Sequence, residues 1–409
     1  MSKTINWVGQ NLELEIEKVA HGGIFVARHE GRVVFVSHVL PGEKVKALVY
    51  EDRGGSFCRA EPTEILVASP DRVAPVWKEA GPGGAGGAEF GHIKLARQRE
   101  LKADVLEEAL DRMAGIKLRV EVEAAPGDDE ANGLGYRTRV QLHVDQGGNV
   151  GPYRERSHEV VRVKDLPLAV EDIRELEMHK RNFQNAKKVE VATSNTGQIQ
   201  YKVDNKLKGD ERLIERTGGR TYRISGGGFW QVHKKAAEVL TEAVQSMVSA
   251  VGFDPAADNL DLYGGVGLFS GALAAKFGTG IKVTTVESFK QATDDAILNL
   301  SDISKAKAIC SPVERYMNQK VSEMAKAKTT LGEATVIIDP PRAGAGAKVV
   351  GQLIELAPKH LIYVACDPIA LARDLKPLLA GGYELKQLRA FDLFPHTHHV
   401  EAIASLVRK

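Results

Sequence analysis

Several stretches of this chain put chemically capable side chains where a strand gives way to a turn. The clearest is LIYVACDPIALARDL (361–375), which begins as a strand, ends as a helix and holds Cys366 at the turn, followed at once by Asp367 and Pro368. ATVIIDPPRAG places Asp339 at a strand end before two prolines, which make a rigid turn without backbone donors. LDLYGGVGLFSGALA carries Gly264, Gly265 and Gly267 between a strand and a helix, and VTTVESFKQA ends its strand in Glu287. GGGFWQVH sets Phe229, Trp230 and Gln231 just before a helix. Near the end of the chain, AFDLFPHTHHVEAIASLVRK holds His396, His398, His399 and Glu401.

These residue types narrow the chemistry. Glycines at a strand-to-helix turn let the backbone approach a ligand closely, and an acidic residue about 20 positions on can accept hydrogen bonds from two ribose hydroxyls. That pair serves dinucleotide and S-adenosylmethionine enzymes alike. An acidic residue before two prolines favours the second, because it forms an edge used by methyltransferases that act on bases. Gln231 is placed to bridge cofactor and base through its amide.

The chain has three cysteines, Cys58, Cys310 and Cys366. Cys58 and Cys310 read as small buried hydrophobes. Cys366 lies on the ligand side of its strand, and the helix beginning after it favours a thiolate through its dipole. Carbon 5 of a uracil needs such a group. It is a poor nucleophile until a thiolate adds to carbon 6, and after methylation a base must remove the original carbon-5 proton. Glu401 is the candidate base. The three histidines near it suggest metal, yet no second group supplies ligands at a recognisable spacing, so the segment reads as a polar loop entering a strand.

The elements that must position these groups follow from hydrophobic period. Residues 11–68 alternate over short strands with Gly or Pro between them, which predicts a small β-barrel. EAGPGGAGGAEFGHI (79–93) is an irregular loop, and LARQRELKADVLEEALDRMAG (95–115) has helical spacing and a terminal glycine. Antiparallel strands follow in the middle of the chain. From about 229 strands and helices alternate, which means βαβ units and a mostly parallel, doubly wound sheet. The pattern gives KAIC and ATVIID as successive strands within it. The expected division is 1–70, 71–225 and 226–409, with the helix at 92–115 leaning on the last part.

Composition excludes little. The chain has 409 residues, 43% hydrophobic and 27% charged, with a formal net charge of +1. Any nucleic-acid binding must therefore come from local basic patches. Candidates are Phe35, Tyr50, Arg53, Phe57 and Arg59 in the barrel, and Arg137, Arg139, Tyr153, Arg154 and Arg156 in the middle region. Few, widely spaced cysteines fit a reducing cytosol. No secretory signal or membrane span is expected.

Together FWQ, DLYGGVG, DPPRAG, YVACDP, ALARDL and FPHTHHVE make the chain resemble the bacterial RNA 5-methyluridine methyltransferases, which act on transfer RNA or large-subunit ribosomal RNA. The resemblance spans nearly the whole chain, and VVFVSHVLPGEKVKA looks like the RNA-binding TRAM domain of that family. It implies an α/β fold: a Rossmann-like class I methyltransferase domain, an N-terminal OB-like barrel and a central, mostly antiparallel β domain. It also implies S-adenosylmethionine as cofactor, RNA as partner, a monomer, and a cytoplasmic setting. Cys366 would be the nucleophile and Glu401 the base, with Gln231, Tyr263, Gly265, Gly267, Leu268, Glu287 and Asp339 around the cofactor, Leu268 through its backbone.

The chain departs from the family in its cysteines. Many members hold a [4Fe–4S] cluster on a loop ending in Cys-Gly-Gly-Cys, where this chain has Ala85-Gly86-Gly87-Ala88. The first ligand position falls at Trp77 or Ala80, and the fourth at Leu166. With all four thiolates missing, no iron–sulfur cluster is expected. Pro312 stands where the family has a further acidic residue, and Gly264 where cysteine is common. Both changes are expected to tune cofactor affinity.

Overall fold

The computed structural model describes residues 6–409. Alternation in NLELEIEKVA buries Leu12, Leu14 and Ile16 and leaves the glutamates between them in solvent. Repeated over β1 (Asn11–Ala20), β2 (Ile24–His29), β3 (Arg32–Val36), β4 (Lys44–Asp52) and β5 (Phe57–Val67), the pattern closes a five-stranded barrel in the order β1-β2-β3-β5-β4. Pro62 sits inside β5, where the pairing with β4 shifts register opposite Ala47. A proline in a strand is tolerated at such irregularities.

Helix α1 (Leu95–Ala109) continues through a π-turn to Gly115, a left-handed stop. It joins two cores. Leu101 packs in the barrel core with Phe25, Phe90 and Ile93, whereas Ala103, Leu106 and Ala109 pack with the C-terminal sheet. A short strand, β6 (Val122–Ala124), follows.

The middle region contains β7 (Arg139–Val144), β8 (Val150–Gly151), α2 (Glu171–Glu175), β9 (Lys188–Thr193), β10 (Ile199–Val203) and β11 (Lys206–Gly209). Its strands form one antiparallel sheet ordered β11-β10-β9-β7-β8. Trp77, Ala80, Ala85, Ala88 and Leu166, the positions matched to cluster ligands, are all buried in its apolar core with Tyr136 and Leu142. Among the described residues no group of three or more His, Cys, Asp or Glu side chains could hold a metal ion. A hairpin of β12 (Arg212–Thr217) and β13 (Arg220–Ser225) packs Leu213, Tyr222 and Ile224 against Trp230, Val266 and Leu268. Packing therefore crosses the boundaries expected near 70 and 225.

The last part runs α3 (Ala236–Val251), β14 (Asn259–Leu262), α4 (Leu268–Phe277), β15 (Lys282–Glu287), α5 (Lys290–Asn299), β16 (Lys305–Cys310), α6 (Val313–Ala327), β17 (Thr335–Ile338), α7 (Gly346–Leu356), β18 (His360–Ala365), α8 (Pro368–Ala380), β19 (Tyr383–Asp392) and β20 (Glu401–Arg408). The sheet order is β16-β15-β14-β17-β18-β20-β19-β6. Strands β14 to β18 are parallel and β20 is antiparallel to β18. Helix α6 corrects the expectation that KAIC is followed directly by ATVIID. Val313, Tyr316, Met317, Val321 and Met324 recur at helical spacing and pack on the core, so the helix is legible in the sequence. Among the described residues no helix is long and apolar enough to cross a membrane.

Candidate active site

The chain reverses its winding at β14, which has β15 on one side and β17 on the other. A crevice opens outside the carboxyl ends of strands at such a point. Tyr263, Glu287, Asp339 and Cys366 all stand at those ends. Ala365 pairs with Ala402, so Cys366 and Glu401 come side by side one residue further along.

The glycine-rich turn is shaped by close contact. A Cβ at Gly264 would overlap Thr285 Cγ2 and lie 3.1 Å from Asp261 Cγ. Tyr263 has φ 62°, a left-handed conformation that costs a bulky residue energy and recurs at ligand sites. The Gly265 N–H donates to Glu287 Oε2 at 3.1 Å, and the Phe289 N–H to Oε1 at 2.8 Å. Glu287 is thus fixed facing the turn. Gly267 N-caps α4 and Leu268 opens it. The Leu268 carbonyl accepts the Tyr222 hydroxyl at 3.1 Å.

Asp261 was not singled out in the sequence. It is fully buried under the turn, where Oδ2 accepts the Ser270 N–H at 2.9 Å and its hydroxyl at 2.7 Å. A charged residue in the apolar strand NLDL was the available signal. Burial pushes its carboxyl up to about 6 against the Ser270 hydrogen bonds.

Carboxyl groups crowd the thiol. Burial first, then Glu401 and Asp339, push Cys366 up to about 12, and Arg342 opposes them. The expectation that the helix dipole makes a thiolate is thereby corrected: burial and two acids outweigh one helix terminus. Burial and Asp339 also raise Glu401 to about 8, and burial with Asp261 raises Asp339 to about 7. Arg342 favours the charged form of both Cys366 and Glu401, and its guanidinium lies 3.3 Å from His399 Nε2.

The loops bearing Asp339 and Cys366 are tied to each other. Asp374 of α8 accepts the Ala345 N–H at 2.8 Å and the Tyr363 hydroxyl at 2.8 Å. Arg373 donates to the Ala343 carbonyl at 2.6 Å. The motif ALARDL therefore clamps the Asp-Pro-Pro-Arg loop against the helix that follows Cys366. A pocket of about 100 Å³ opens beside Cys366, walled by Lys102, Arg342, His399 and the barrel turn at His21.

Gln231 stands apart. It lines a cavity of about 560 Å³ with Thr138, Asn195, Glu215 and His233, between the central sheet and the start of the catalytic part. Of the RNA candidates, Phe57 and Tyr50 are exposed, and Arg59 lies 5.6 Å from the Phe35 ring centre. Arg156 of the middle region sits over the Tyr50 ring of the barrel. Arg139 and Arg154 are committed elsewhere, donating to the carbonyls of Gly228 and Gly83 at 2.6 Å.

A parallel sheet with a glycine turn, a fixed strand-end acid and an Asp-Pro-Pro edge at the carboxyl ends of its strands defines a class I methyltransferase, here carrying an N-terminal barrel. The family model for tRNA (uracil-5-)-methyltransferases matches residues 170–409, and that for the TRAM domain matches residues 7–61. An RNA methyltransferase of Streptomyces avermitilis is 40% identical, covering 98% of each chain, and one of Streptomyces coelicolor is 39% identical, covering 99% of this chain and 94% of that one. The structure of Pyrococcus abyssi tRNA (uracil-54, C5)-methyltransferase with S-adenosyl-L-homocysteine is similar in fold, with TM-score 0.73 and 22% identity over 96% of this chain and 99% of that one. The chain belongs to the tRNA (uracil-5-)-methyltransferase family. It is an S-adenosylmethionine-dependent RNA methyltransferase with an N-terminal TRAM barrel.

Proposed function

We propose that the protein methylates carbon 5 of a uridine in RNA through a covalent adduct between Cys366 and carbon 6. The reading is supported by the pairing of Ala365 with Ala402, which brings Cys366, just past the end of β18, beside Glu401, the first residue of β20. The cofactor turn fits S-adenosylmethionine: Gly264 has no room for a side chain, and Glu287 is already oriented by the Gly265 N–H. The bound cofactor supplies an electrophilic methyl group. Gly265, Gly267, Leu268 and Glu287 would hold its nucleoside end, with Tyr263 and Asp339 toward the base.

The protein's own steps balance. The Cys366 thiol gives its proton to solvent as sulfur bonds to carbon 6, and the carbon 5–carbon 6 electrons move to the carbon-4 oxygen; the thiolate regains that proton when it is released. Arg342 is the cation placed to favour that negative charge. Once carbon 5 carries the methyl group, Glu401 as carboxylate takes the remaining carbon-5 proton. The double bond reforms and the carbon–sulfur bond breaks, which returns the thiolate.

The target uridine has to leave any stack to reach Cys366. The exposed aromatic and arginine side chains of the barrel suit an RNA single strand. Transfer and ribosomal RNA both offer such uridines, and the description of the matching family favours transfer RNA. This reading implies a monomer acting in the cytoplasm. RNA carrying 5-fluorouridine tests it, because a base cannot remove the fluorine. A stable protein–RNA adduct is expected that is absent in Cys366→Ala. Turnover retained by Cys366→Ala would instead mean methylation without a covalent step.

A further inference from the structure

The β1–β2 turn of the barrel touches both loops that carry the proposed reacting groups. His21 Nε2 lies 2.8 Å from Asp367 Oδ2. Asp367 directly follows Cys366, and its other oxygen accepts the Ala370 N–H at 2.8 Å to cap α8. Two residues along the same turn, Gly23 lies against the loop before Glu401. A Cβ there would fall 2.8 Å from His398 Cβ. His21, Gly23, Asp367 and His398 line one pocket together with Cys366 and Arg342.

We propose that this turn is part of the active site, with His21 as a positioning residue that fixes the Cys366 turn relative to the Glu401 loop. The inference rests on the covalent reading above. Barrel docking does not require the contact. The barrel is already seated by Phe25, Phe90 and Leu101 in a shared core, and Lys18 of β1 pairs with Glu108 of α1 at 2.7 Å. His21 is about half exposed, and an ion pair at that exposure adds little to stability. Its leverage lies in geometry. Asp367 is bonded on one side to the helix after the nucleophile and on the other to the barrel, so Cys366 is aimed from both. The barrel that grips RNA thereby also holds the nucleophile.

The test uses the full chain with RNA and S-adenosylmethionine. His21→Ala is expected to lower kcat about 100-fold, the loss that a displacement near 1 Å produces, while KM for RNA and Tm hold. His21→Gln, whose amide can still donate to Asp367, is expected to recover most of the rate. Lys18→Ala, which removes another barrel contact, is expected to leave kcat unchanged. Adduct formation on 5-fluorouridine RNA is expected to slow in His21→Ala by the same factor as kcat. The proposal is overturned if His21→Ala keeps its kcat, if only KM rises, or if Lys18→Ala loses as much. If His21→Ala folds poorly, a stable His21→Gln without recovered rate overturns it as well. Absence of any adduct in the unmodified protein would refute the covalent reading alone, since the kcat comparison still decides the role of His21.

Discussion

Adding one methyl group at Gly264 tests how closely the cofactor turn is built. The new Cβ would overlap Thr285 Cγ2, and Thr285 is fully buried beside Asp261 and Ser270. Neither neighbour can give way cheaply, because the Thr285 hydroxyl is 2.6 Å from Ser270 Oγ, which in turn donates to Asp261. Overpacking of this kind costs about 1–3 kcal/mol. If the strain falls on the cofactor-competent turn, Gly264→Ala should weaken S-adenosylmethionine binding by about 5- to 100-fold, at about 1.4 kcal/mol per tenfold. Thr285→Ser removes the obstructing methyl and keeps the hydroxyl. Alone it should cost about 1 kcal/mol of stability for one lost buried carbon. In the Gly264→Ala background the same change should do the opposite and restore binding. Calorimetric titration of the four proteins measures the coupling. Equal affinity in Gly264→Ala, or no recovery in the double variant, would refute the steric argument.

Other outcomes follow from the same geometry. Glu401→Gln should let the methylated Cys366–RNA adduct form but not collapse, so a covalent complex should accumulate on ordinary RNA and be visible on denaturing gels. Lys102 is completely buried against Asp392 at 2.5 Å. Lys102→Met should destabilise the protein by about 3–5 kcal/mol in urea unfolding, because it strands a buried carboxylate. Folded Glu401 binds its proton more tightly than the unfolded chain does, with a value near 8 against an ordinary 4.5. Between those values the folded state holds more protons, so stability should fall as pH rises through that window. Glu401→Gln should flatten the fall in thermal melts between pH 5 and pH 8.

Much of the candidate site's position is legible in the sequence, because strand ends and turns carry local signals. Cys366, Asp339 and Glu287 each stand where a hydrophobic run stops, and all reach one edge of one sheet. What it hid depends on contacts between distant segments. β6 is only three residues long and exists because it pairs parallel with β19. Helix α6 is not such a case, since Val313, Tyr316, Met317, Val321 and Met324 carry a helical stripe in the sequence itself. Asp261 looked like one polar residue in a strand until burial made it a support for the turn. Gln231 is near the first helix as read, yet the cavity it lines belongs as much to the central sheet. The Ala-Gly-Gly-Ala loop shows the opposite case. Its cysteines are missing from the sequence, but only the structure shows Trp77, Ala80, Ala85, Ala88 and Leu166 gathered into one apolar core. Apolar burial there is non-directional and can hold the loop without ligand geometry.

The protonation of the pocket bears on how the reaction is started. A thiol held near 12, beside carboxyls near 8 and 7, is uncharged in the free protein at neutral pH. Such a thiol resists alkylation and oxidation, since the thiolate is the reactive form. The same crowding that suppresses the thiolate also supplies its remedy. On the proposed covalent route, bonding of sulfur to carbon 6 moves its charge onto the uracil oxygen and away from Glu401 and Asp339, so the repulsion that raised the thiol is relieved by the reaction itself. Glu401 must then be ionised to take the carbon-5 proton, and Arg342 is the group that favours this. Removing Arg342 should therefore slow adduct formation and adduct collapse together. Removing Glu401 should slow collapse alone. Single-turnover measurements that resolve the two phases separate these roles, and an Arg342→Gln variant impaired only in RNA affinity would contradict the electrostatic account.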